Sequence, residues 1–201
     1  MKLYGSPEIP ESAGLYCFRL CLANPEVMGL IGPSHLRPAD GQARLRARLL
    51  DRLNLADEVL SSRVLQGNLS EDKGTHPATR FSVSAEQVQS LNLAAIREDL
   101  AAIGDPEALV HILERVSLAL PPIYVGVTRD QTLRMRYEQH WHNYRSPVPG
   151  TFGARLRKLR LSWNDVTFHA IELPTALVSD RNIKLCEDLL LSLSKPVLSQ
   201  A

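Results

Sequence analysis

Residues 122–144, PIYVGVTRDQTLRMRYEQHWHNY, decide the fold because a strand pattern leads directly into a helix pattern. Residues 123–128 are mostly β-branched or aromatic, which predicts a strand, and Gly126 lies close to its end. Asp130 is a residue type that caps helices, so we expect a helix to begin at Gln131. A strand followed at once by a helix is therefore the central unit of the predicted fold.

One stripe of the predicted helix mixes side chains typical of a core with charged ones. Its members recur at helical spacing and are Leu133, Arg136, Tyr137, His140 and Tyr144. Leucine and tyrosine are typical of a core face, but a buried guanidinium is costly unless an anion meets it. A phosphate-binding site would explain both features. The alternative is an ordinary surface helix whose Arg136 and His140 lie at the rim of the stripe.

A second strand-like run lies far upstream, at residues 13–20, AGLYCFRL. Its Gly14-Leu15-Tyr16, together with Tyr124-Val125-Gly126, resembles the two signature strands of the GIY-YIG nuclease superfamily. That family has a Leu after the second strand, an Arg three residues later, and a His or Tyr four residues after the Arg. The matching residues in this chain are Leu133, Arg136 and His140.

The resemblance extends towards the C-terminal part of the chain. It implies a later helix with a metal-binding Glu, followed by a Pro and an Asn. Glu187 and Pro196 match, whereas Ser199 stands in the Asn position. Some members also carry a Lys directly after the second-strand Gly, where this chain has Val127. The resemblance covers residues 13–21 and 121–199, and its most specific part is the ordered set Tyr16, Tyr124, Arg136, His140 and Glu187.

The resemblance implies a metal-dependent endonuclease that hydrolyses DNA phosphodiester bonds, of the restriction or mobile-element type. Tyr16 and Tyr124 would face the reacting phosphate, and one of them would help to activate water. Arg136 would bind the phosphoryl oxygens, because its charge is permanent and its fork is planar. His140 would relay a proton or hydrogen-bond a tyrosine, and Glu187 would hold Mg²⁺ or Mn²⁺.

General chemistry sets two conditions for this activity. A phenol has a pKa of about 10, so it is a poor base at neutral pH unless cations stabilise the phenolate. Magnesium keeps several waters, so the single carboxylate of Glu187 can suffice when phosphate oxygens complete the shell. Without the motif, a Glu at the margin of an apolar helix face is more typical of a surface group.

Two departures from the family pattern leave a second function open. Val127 in the Lys position and Ser199 in the Asn position are compatible with a DNA-binding or regulatory module that keeps the GIY-YIG fold but cleaves weakly or not at all. RNA also stays open as a substrate, because nothing in the sequence distinguishes a reader of 2′-hydroxyl groups.

The composition predicts a folded chain without a general excess of positive charge. Of its 201 residues 44% are hydrophobic, which is enough for a core and too many for a disordered chain. There are 23 basic and 22 acidic residues, for a net charge of +1, so a nuclease of this composition must concentrate its positive charge locally. The candidates for DNA contact are Arg155, Arg157, Lys158, Arg160 and His142. A second stripe, Arg44, Arg48 and Arg52, is at least as typical of a solvated helix face.

Cysteine usage and the N-terminal sequence predict a cytoplasmic protein. Cys17, Cys21 and Cys186 include no C-x-x-C pair and are expected to be reduced, buried thiols. The first residues contain no apolar run of the signal-peptide type, and no run approaches the ~18 apolar residues of a membrane span. We therefore expect no membrane partner, and the resemblance implies DNA as the partner.

The element order predicts an α+β fold with a small three-stranded antiparallel sheet flanked by helices. The strands are expected at residues 13–21, 123–128 and 166–173, and the last helix is expected to start at Ser179 or Asp180. Residues 1–21 and 121–201 form the predicted nuclease core, and residues 22–120 form a mostly helical insertion. The first two strands can still pair across this insertion, because the cost of loop closure rises slowly with length.

Within the insertion the sequence predicts several elements. Helices are expected at residues 40–55, 56–65, 93–103 and from Asp105 onwards, the last with an apolar face of Leu109, Ile112, Leu113 and Val116. Residues 66–78 are polar and predict an exposed loop, followed by a short strand at residues 79–83. Ser84 and Gln87 match a capping box and predict the start of a further helix.

Overall fold

The computed structural model describes residues 9–31, 41–61, 65–72, 80–87, 91–173, 179–194, 196, 198 and 199, with the backbone alone for residues 61, 65–72, 80–87, 180 and 193. In chain order the elements are β1 (Gly14–Leu20), α1 (Gln42–Ser61), β2 (Leu65–Asp72), β3 (Arg80–Gln87), α2 (Leu93–Ala102), α3 (Pro106–Val116), β4 (Pro122–Thr128), α4 (Leu133–Arg145), α5 (Phe152–Lys158), β5 (Val166–Glu172) and α6 (Asp180–Ser194). The predicted α+β class is confirmed.

The main sheet has three antiparallel strands in the order β4-β1-β5. In β1, Tyr16 lies opposite Gly126 of β4 on one side and opposite Ala170 of β5 on the other. The two tyrosine-bearing strands therefore pair directly although the whole of residues 22–120 lies between them. This confirms the predicted pairing.

The core lies between one face of this sheet and helices α4 and α5. Successive side chains of a strand point to opposite faces, so Tyr16 and Phe18 share one face of β1. They pack in one buried cluster with Leu133 of α4 and with Phe152 of α5. The rings of Phe18 and Phe152 are stacked with centroids 4.3 Å apart. Full burial of one such side chain contributes roughly 1.5–3 kcal/mol.

Helix α6 and the residues after it cover strand β4. Ser179 caps the helix, because its side-chain oxygen accepts from the Asn182 N–H at 3.3 Å. Beyond the helix, the N–H of Leu198 donates to the carbonyl of Ile123 at 2.6 Å, and Leu198 is buried. The C-terminal residues thus return to the strand that carries Tyr124.

Helices α1, α2 and α3 form a second buried cluster beside the main core. Its members include Leu45 and Leu49 of α1, Leu100 of α2 and Val110 of α3. The apolar face predicted for α3 is wrong in part: Ile112 and Val116 are exposed, and the buried members are the following ones, Pro106 and Val110. The buried face of α3 differs from the face that the apolar pattern predicts, because contact with α1 decides which face is covered.

The segment between β1 and β4 contains a hairpin that the sequence analysis missed. Strands β2 and β3 pair in an antiparallel register from Leu65 opposite Gln87 to Asp72 opposite Arg80. The exposed loop predicted at residues 66–78 is therefore wrong for residues 66–72, and residues 73–79 lie outside the described part. A helix opening at Ser84 is wrong as well. Backbone pairing with the partner strand overrides the weak local patterns.

Helix boundaries follow capping side chains, and two predicted boundaries are wrong. Helix α4 begins at Leu133 rather than Gln131, because Thr132 and not Asp130 accepts the capping N–H, from Met135 at 3.1 Å. Helix α1 is one continuous helix to Ser61 where two were predicted. By contrast, Asp105 caps α3 as expected.

The arginine stripe of α1 is not a solvated face. Arg52 forms an ion pair with Asp165 at 2.6 Å and donates to the carbonyl of Cys21 at 2.6 Å. Arg48 donates to the carbonyl of Met28 at 3.0 Å, whereas Arg44 is exposed. Two of the three guanidinium groups are thus structural connections between α1 and its surroundings.

The three cysteines are free; Cys21 is buried, and Cys17 and Cys186 are half-buried. Burial raises the pKa of the Cys17 and Cys21 thiols above the ordinary value. None of the helices within the described ranges combines the length and the apolar composition that crossing a bilayer requires.

Candidate active site

Strands β1 and β4 present the two signature tyrosines side by side. The rings of Tyr16 and Tyr124 lie with centroids 6.1 Å apart. Tyr16 is 2% exposed, and Tyr124 is half-buried. Tyr124 is therefore the more accessible of the two phenols.

Gly126 makes room for the hydroxyl end of Tyr16. A Cβ atom at position 126 would lie 2.4 Å from the Tyr16 hydroxyl oxygen and 2.5 Å from its Cζ. Any side chain there would displace the phenol, because these contacts are far inside van der Waals distance. The glycine of the second tripeptide thus has a packing reason that depends on the tyrosine of the first.

Helix α4 brings Arg136 and His140 onto the Tyr16 hydroxyl. Leu133, buried in the core, fixes the stripe that faces the sheet. One turn later the Nε of Arg136 donates to the Tyr16 oxygen at 3.1 Å, and the Nε2 of His140 lies 2.8 Å from the same oxygen. The mixed stripe of the sequence is therefore an inward-facing polar network rather than the rim of a surface helix.

The donors and acceptors available in this network determine where its protons lie. Arg136 can only donate, so we assign the Tyr16 O–H as donor to the Nε2 of a neutral His140. The Nδ1 of His140 then carries the proton, and this buried atom has no hydrogen-bond partner among the described residues. The network is preorganised but one of its polar atoms is left unsatisfied.

The electrostatics of the site oppose charge on both Tyr16 and His140. Burial, together with nearby Tyr124, raises the pKa of Tyr16 well above its usual range, although Arg136 acts in the other direction. Burial and then the charges of Arg136 and Arg155 lower the pKa of His140 to about 3. In the free protein at neutral pH the phenol is therefore protonated and the imidazole is neutral.

These side chains open onto a cavity of about 230 Å³. Glu187 reaches it from α6, so four of the five residues singled out in the sequence line one space and His140 lies directly behind Tyr16. The full lining is Tyr16, Tyr124, Val125, Gly126, Val127, Arg136, Arg155, Glu187, Leu191 and Ser199. Side chains from β1, β4, α4, α5 and α6 thus converge.

Glu187 is the carboxylate at this cavity that could hold a cation. Within the described ranges no group of three or more His, Cys, Asp or Glu side chains forms a metal site. The lining nevertheless fits Mg²⁺ or Mn²⁺ bound through one carboxylate, since Mg²⁺ keeps several waters and takes further oxygens from a phosphate. A cation held in this way depends on substrate for part of its shell.

The two departures from the family pattern have clear positions. The Oγ of Ser199 accepts from the N–H of Val125 at 3.0 Å and lies 3.3 Å from the carbonyl of the same residue. Ser199 therefore ties the C-terminal residues to β4 through the backbone of Val125. Val127 lines the cavity and supplies no charge.

The five residues predicted to contact nucleic acid separate into two groups. Arg155 lines the cavity, with its Cζ 5.6 Å from the centroid of the Tyr124 ring. The other four are exposed outside it and are Arg157, Lys158, Arg160 and His142. Arg155 thus belongs to the site itself, whereas the others lie on the surface around α4 and α5.

One contributor was missed by sequence reasoning. Gln139, which is not a member of the predicted stripe, accepts a hydrogen bond from the Nη1 of Arg136 at 2.5 Å. The three-residue spacing of the two on one helix is the signal that could have indicated it.

A larger cavity of about 830 Å³ lies on the opposite face of the sheet. Its lining includes Cys17, Arg19 and His169, which alternate with the core-facing residues of β1 and β5. The smaller cavity is the better candidate for chemistry, because the hydrogen-bonded Tyr16, Arg136 and His140 network lies there.

Comparison of the chain with models of protein families, with curated proteins and with solved structures gave no match. A functional assignment therefore depends on the side chains themselves and on their geometry.

Proposed function

We propose that the chain is a metal-dependent endonuclease of the GIY-YIG type that hydrolyses DNA phosphodiester bonds. The observation that carries the proposal is the convergence of Tyr16, Tyr124, Arg136 and Glu187 on one cavity, with His140 bonded to Tyr16. These residues are scattered along the chain, and a structural role alone does not require them to meet.

Arg136 binds the reacting phosphate in this proposal. Its Nε donates to Tyr16 and its Nη1 donates to Gln139, and the phenol of Tyr124 is a further polar neighbour of the guanidinium. Two anchored nitrogens fix the plane of the guanidinium before substrate arrives. Other N–H groups of the guanidinium can then donate to a non-bridging phosphate oxygen, where negative charge grows during the reaction.

Tyr16 and His140 accept the proton of the attacking water. The water oxygen bonds to phosphorus, and a water proton passes to the Tyr16 oxygen as its own proton moves to the Nε2 of His140. The bond from phosphorus to the leaving sugar oxygen breaks, and that oxygen takes a proton from solvent water. The charge of the bound phosphate offsets Arg136 and Arg155, the two cations that lower the pKa of His140. Substrate binding thereby raises the pKa of the proton acceptor.

Glu187 holds the divalent cation in this scheme. When bound, Mg²⁺ or Mn²⁺ supplies positive charge to the phosphate oxygens. The carboxylate lines the same cavity as the guanidinium of Arg136, so a cation held there would act on the phosphate that Arg136 binds.

Cleavage of supercoiled plasmid tests the proposal. Purified protein should convert it to nicked or linear DNA with Mg²⁺ or Mn²⁺ and not with EDTA, and Glu187→Gln should abolish this conversion. Asp188→Asn is the matched control, because Asp188 is the next residue and pairs with Lys184 on the surface. Absence of cleavage with either ion, or an unchanged rate for Glu187→Gln, would refute the nuclease. RNA of the same length in a parallel assay identifies the substrate class.

A second function is favoured by one specific observation. The pKa of Tyr16 is raised and Val127 supplies no nearby cation, so the free protein holds its phenol in the unreactive form. A DNA-binding or regulatory module would show this property without turnover. DNA binding that persists with every divalent ion, in the absence of any cleavage, would support this second function.

A further inference from the structure

Arg155 reaches the same cavity as Arg136 but from a different helix. It stands in α5 within a run of four basic residues, and the structure separates it from the other three. Arg157, Lys158 and Arg160 are exposed, whereas Arg155 is half-buried and lines the cavity. Arg155 is therefore part of the cavity, although its neighbours in the sequence form an exposed basic surface.

Among the described residues, no anion pairs with the guanidinium of Arg155. Its buried Nε has no hydrogen-bond partner there, and no carboxylate of that part of the chain forms an ion pair with it. The Cζ of Arg155 lies 5.6 Å from the centroid of the Tyr124 ring. A cation over an aromatic ring regains only part of the hydration that burial removes. A half-buried cation of this kind is stabilised when an anion enters the cavity.

The charges that line the cavity also favour an anionic occupant. Arg136 and Arg155 contribute two positive charges and Glu187 contributes one negative charge. The charge of Arg155 acts inside the site. After burial, the charges of Arg136 and Arg155 both lower the pKa of His140. The two guanidinium groups approach from α4 and α5, which gives an occupant two separate points of contact.

We propose that Arg155 is a second phosphate-binding arginine of the site, donating to the phosphodiester that Arg136 also holds, while its planar face fixes the ring of Tyr124. This inference rests on the proposed function. Lysine would keep the charge but would lose the planar fork and its contact with the ring. Arg155→Lys should therefore retain part of the phosphate affinity and lose part of the turnover.

Phosphate binding without turnover tests the inference independently of cleavage. Inorganic phosphate is titrated against the full chain, and its dissociation constant is taken from the thermal unfolding shift. Arg155→Gln should weaken phosphate binding about 10- to 100-fold, as expected for loss of a hydrogen bond to a charged group. Arg157→Gln is the matched control, because Arg157 lies over the ring of Tyr144 at 5.2 Å on the same helix but outside the cavity.

Equal phosphate affinity of Arg155→Gln and Arg157→Gln overturns the inference, as does a wild-type protein that phosphate does not stabilise. If Arg155→Gln does not fold, Arg155→Lys replaces it. A phosphate affinity of Arg155→Lys equal to that of the wild type then also overturns the inference. Phosphate binding that depends on Arg155 in a protein that cleaves no DNA supports the inference and refutes the nuclease. DNA cleavage by Arg155→Gln at the wild-type rate refutes the inference and remains consistent with the proposed nuclease.

Discussion

At the scale of single residues, the hydroxyl of Tyr16 connects everything at the site. Arg136 and His140 both bond to it, and Gly126 leaves the space that it occupies. Three positions that look unrelated in the sequence thus depend on one oxygen atom. The loss of that atom should affect both stability and turnover.

Tyr16→Phe should lower the free energy of unfolding by about 1–3 kcal/mol, because it leaves the buried His140 and Arg136 nitrogens without their partner. It should also lower the cleavage rate by about 10² or more, the range of a lost proton-transfer group. Urea unfolding and plasmid cleavage measure the two effects. Tyr137→Phe is the control: it removes one hydrogen bond, from the Nε1 of Trp163 at 3.1 Å, away from the cavity, and should leave cleavage unchanged. Wild-type cleavage by Tyr16→Phe would contradict the assigned role.

The pKa of His140 predicts a pH dependence of stability. It lies at about 3 in the folded protein, against 6.5 in the unfolded chain. Between these values the unfolded state binds a proton that the folded state does not, so stability is complete above pH 6.5 and is lost as the pH falls towards 3. The full effect is on the order of 5 kcal/mol.

Urea unfolding at pH 7.0, 5.5 and 4.5 measures this effect as a difference between proteins. His140→Gln should have a shallower loss of stability on acidification than the wild type, because one linked proton is removed. His111→Gln changes an exposed histidine and should keep the wild-type slope. Parallel slopes for wild type and His140→Gln would show that the imidazole titrates normally.

At the scale of elements, the close approach of α4 and α5 positions Arg155. A Cβ atom at Gly153 would lie 2.4 Å from the backbone nitrogen of Tyr144 and 2.6 Å from the carbonyl carbon of Asn143. Both contacts are with backbone, which cannot rotate away. The absence of a side chain at Gly153 therefore sets the distance between the two helices.

Gly153→Ala should reduce stability by about 1–3 kcal/mol through overpacking, despite the better helix propensity of alanine. Because it pushes α5 away from α4, it should also weaken phosphate binding. Gly104→Ala is the control, since nothing lies within 4 Å of the added methyl group. Thermal unfolding of the two variants gives the comparison, and equal stabilities would show that the helices adjust freely.

Elements with a strong local pattern were predictable from the sequence, and those defined by a partner were not. The strand of Tyr124 and the stripe of α4 follow from periodicity, and the cap of α3 follows from Asp105. The hairpin β2–β3 was missed because polar residues pair there through their backbones. The side of α3 that is buried was also wrong, since the position of α1 decides it.

At the scale of the whole molecule, a buried ion pair joins the long segment after β1 to the sheet. Arg52 of α1 contacts Asp165, directly before β5, and their side chains are 13% and 8% exposed. Ala56 and Val59 of the same helix belong to the main core. Helix α1 is therefore packed against the main core.

Arg52→Met should lower the free energy of unfolding by about 3–5 kcal/mol, because it leaves the buried carboxylate of Asp165 without its cation. Lys184→Met breaks an exposed pair with Asp188 and should have no measurable effect. Urea unfolding with both variants at pH 7 measures the difference. A loss as small as that of Lys184→Met would mean that water replaces the guanidinium.

Helical spacing predicts that Arg136 and His140 share one stripe, whereas Tyr16, Tyr124 and Glu187 were singled out by the family resemblance, and no local pattern predicts that these residues meet. The convergence of Glu187 with Tyr124 depends on α6 lying against β4. The entry of Arg155 depends on the missing side chain of Gly153. Neither is encoded in the local pattern, since both are properties of how two elements meet.

The central place of β1 has a consequence for biosynthesis. This strand is made first, but β5, the neighbour on its second edge, begins only at Val166. At about 5–20 residues per second, the nascent chain waits on the order of 10 s with an apolar strand and open hydrogen-bonding edges. Polypeptides that terminate before Val166 should therefore aggregate or engage chaperones, because β1 then has no partner on its second edge.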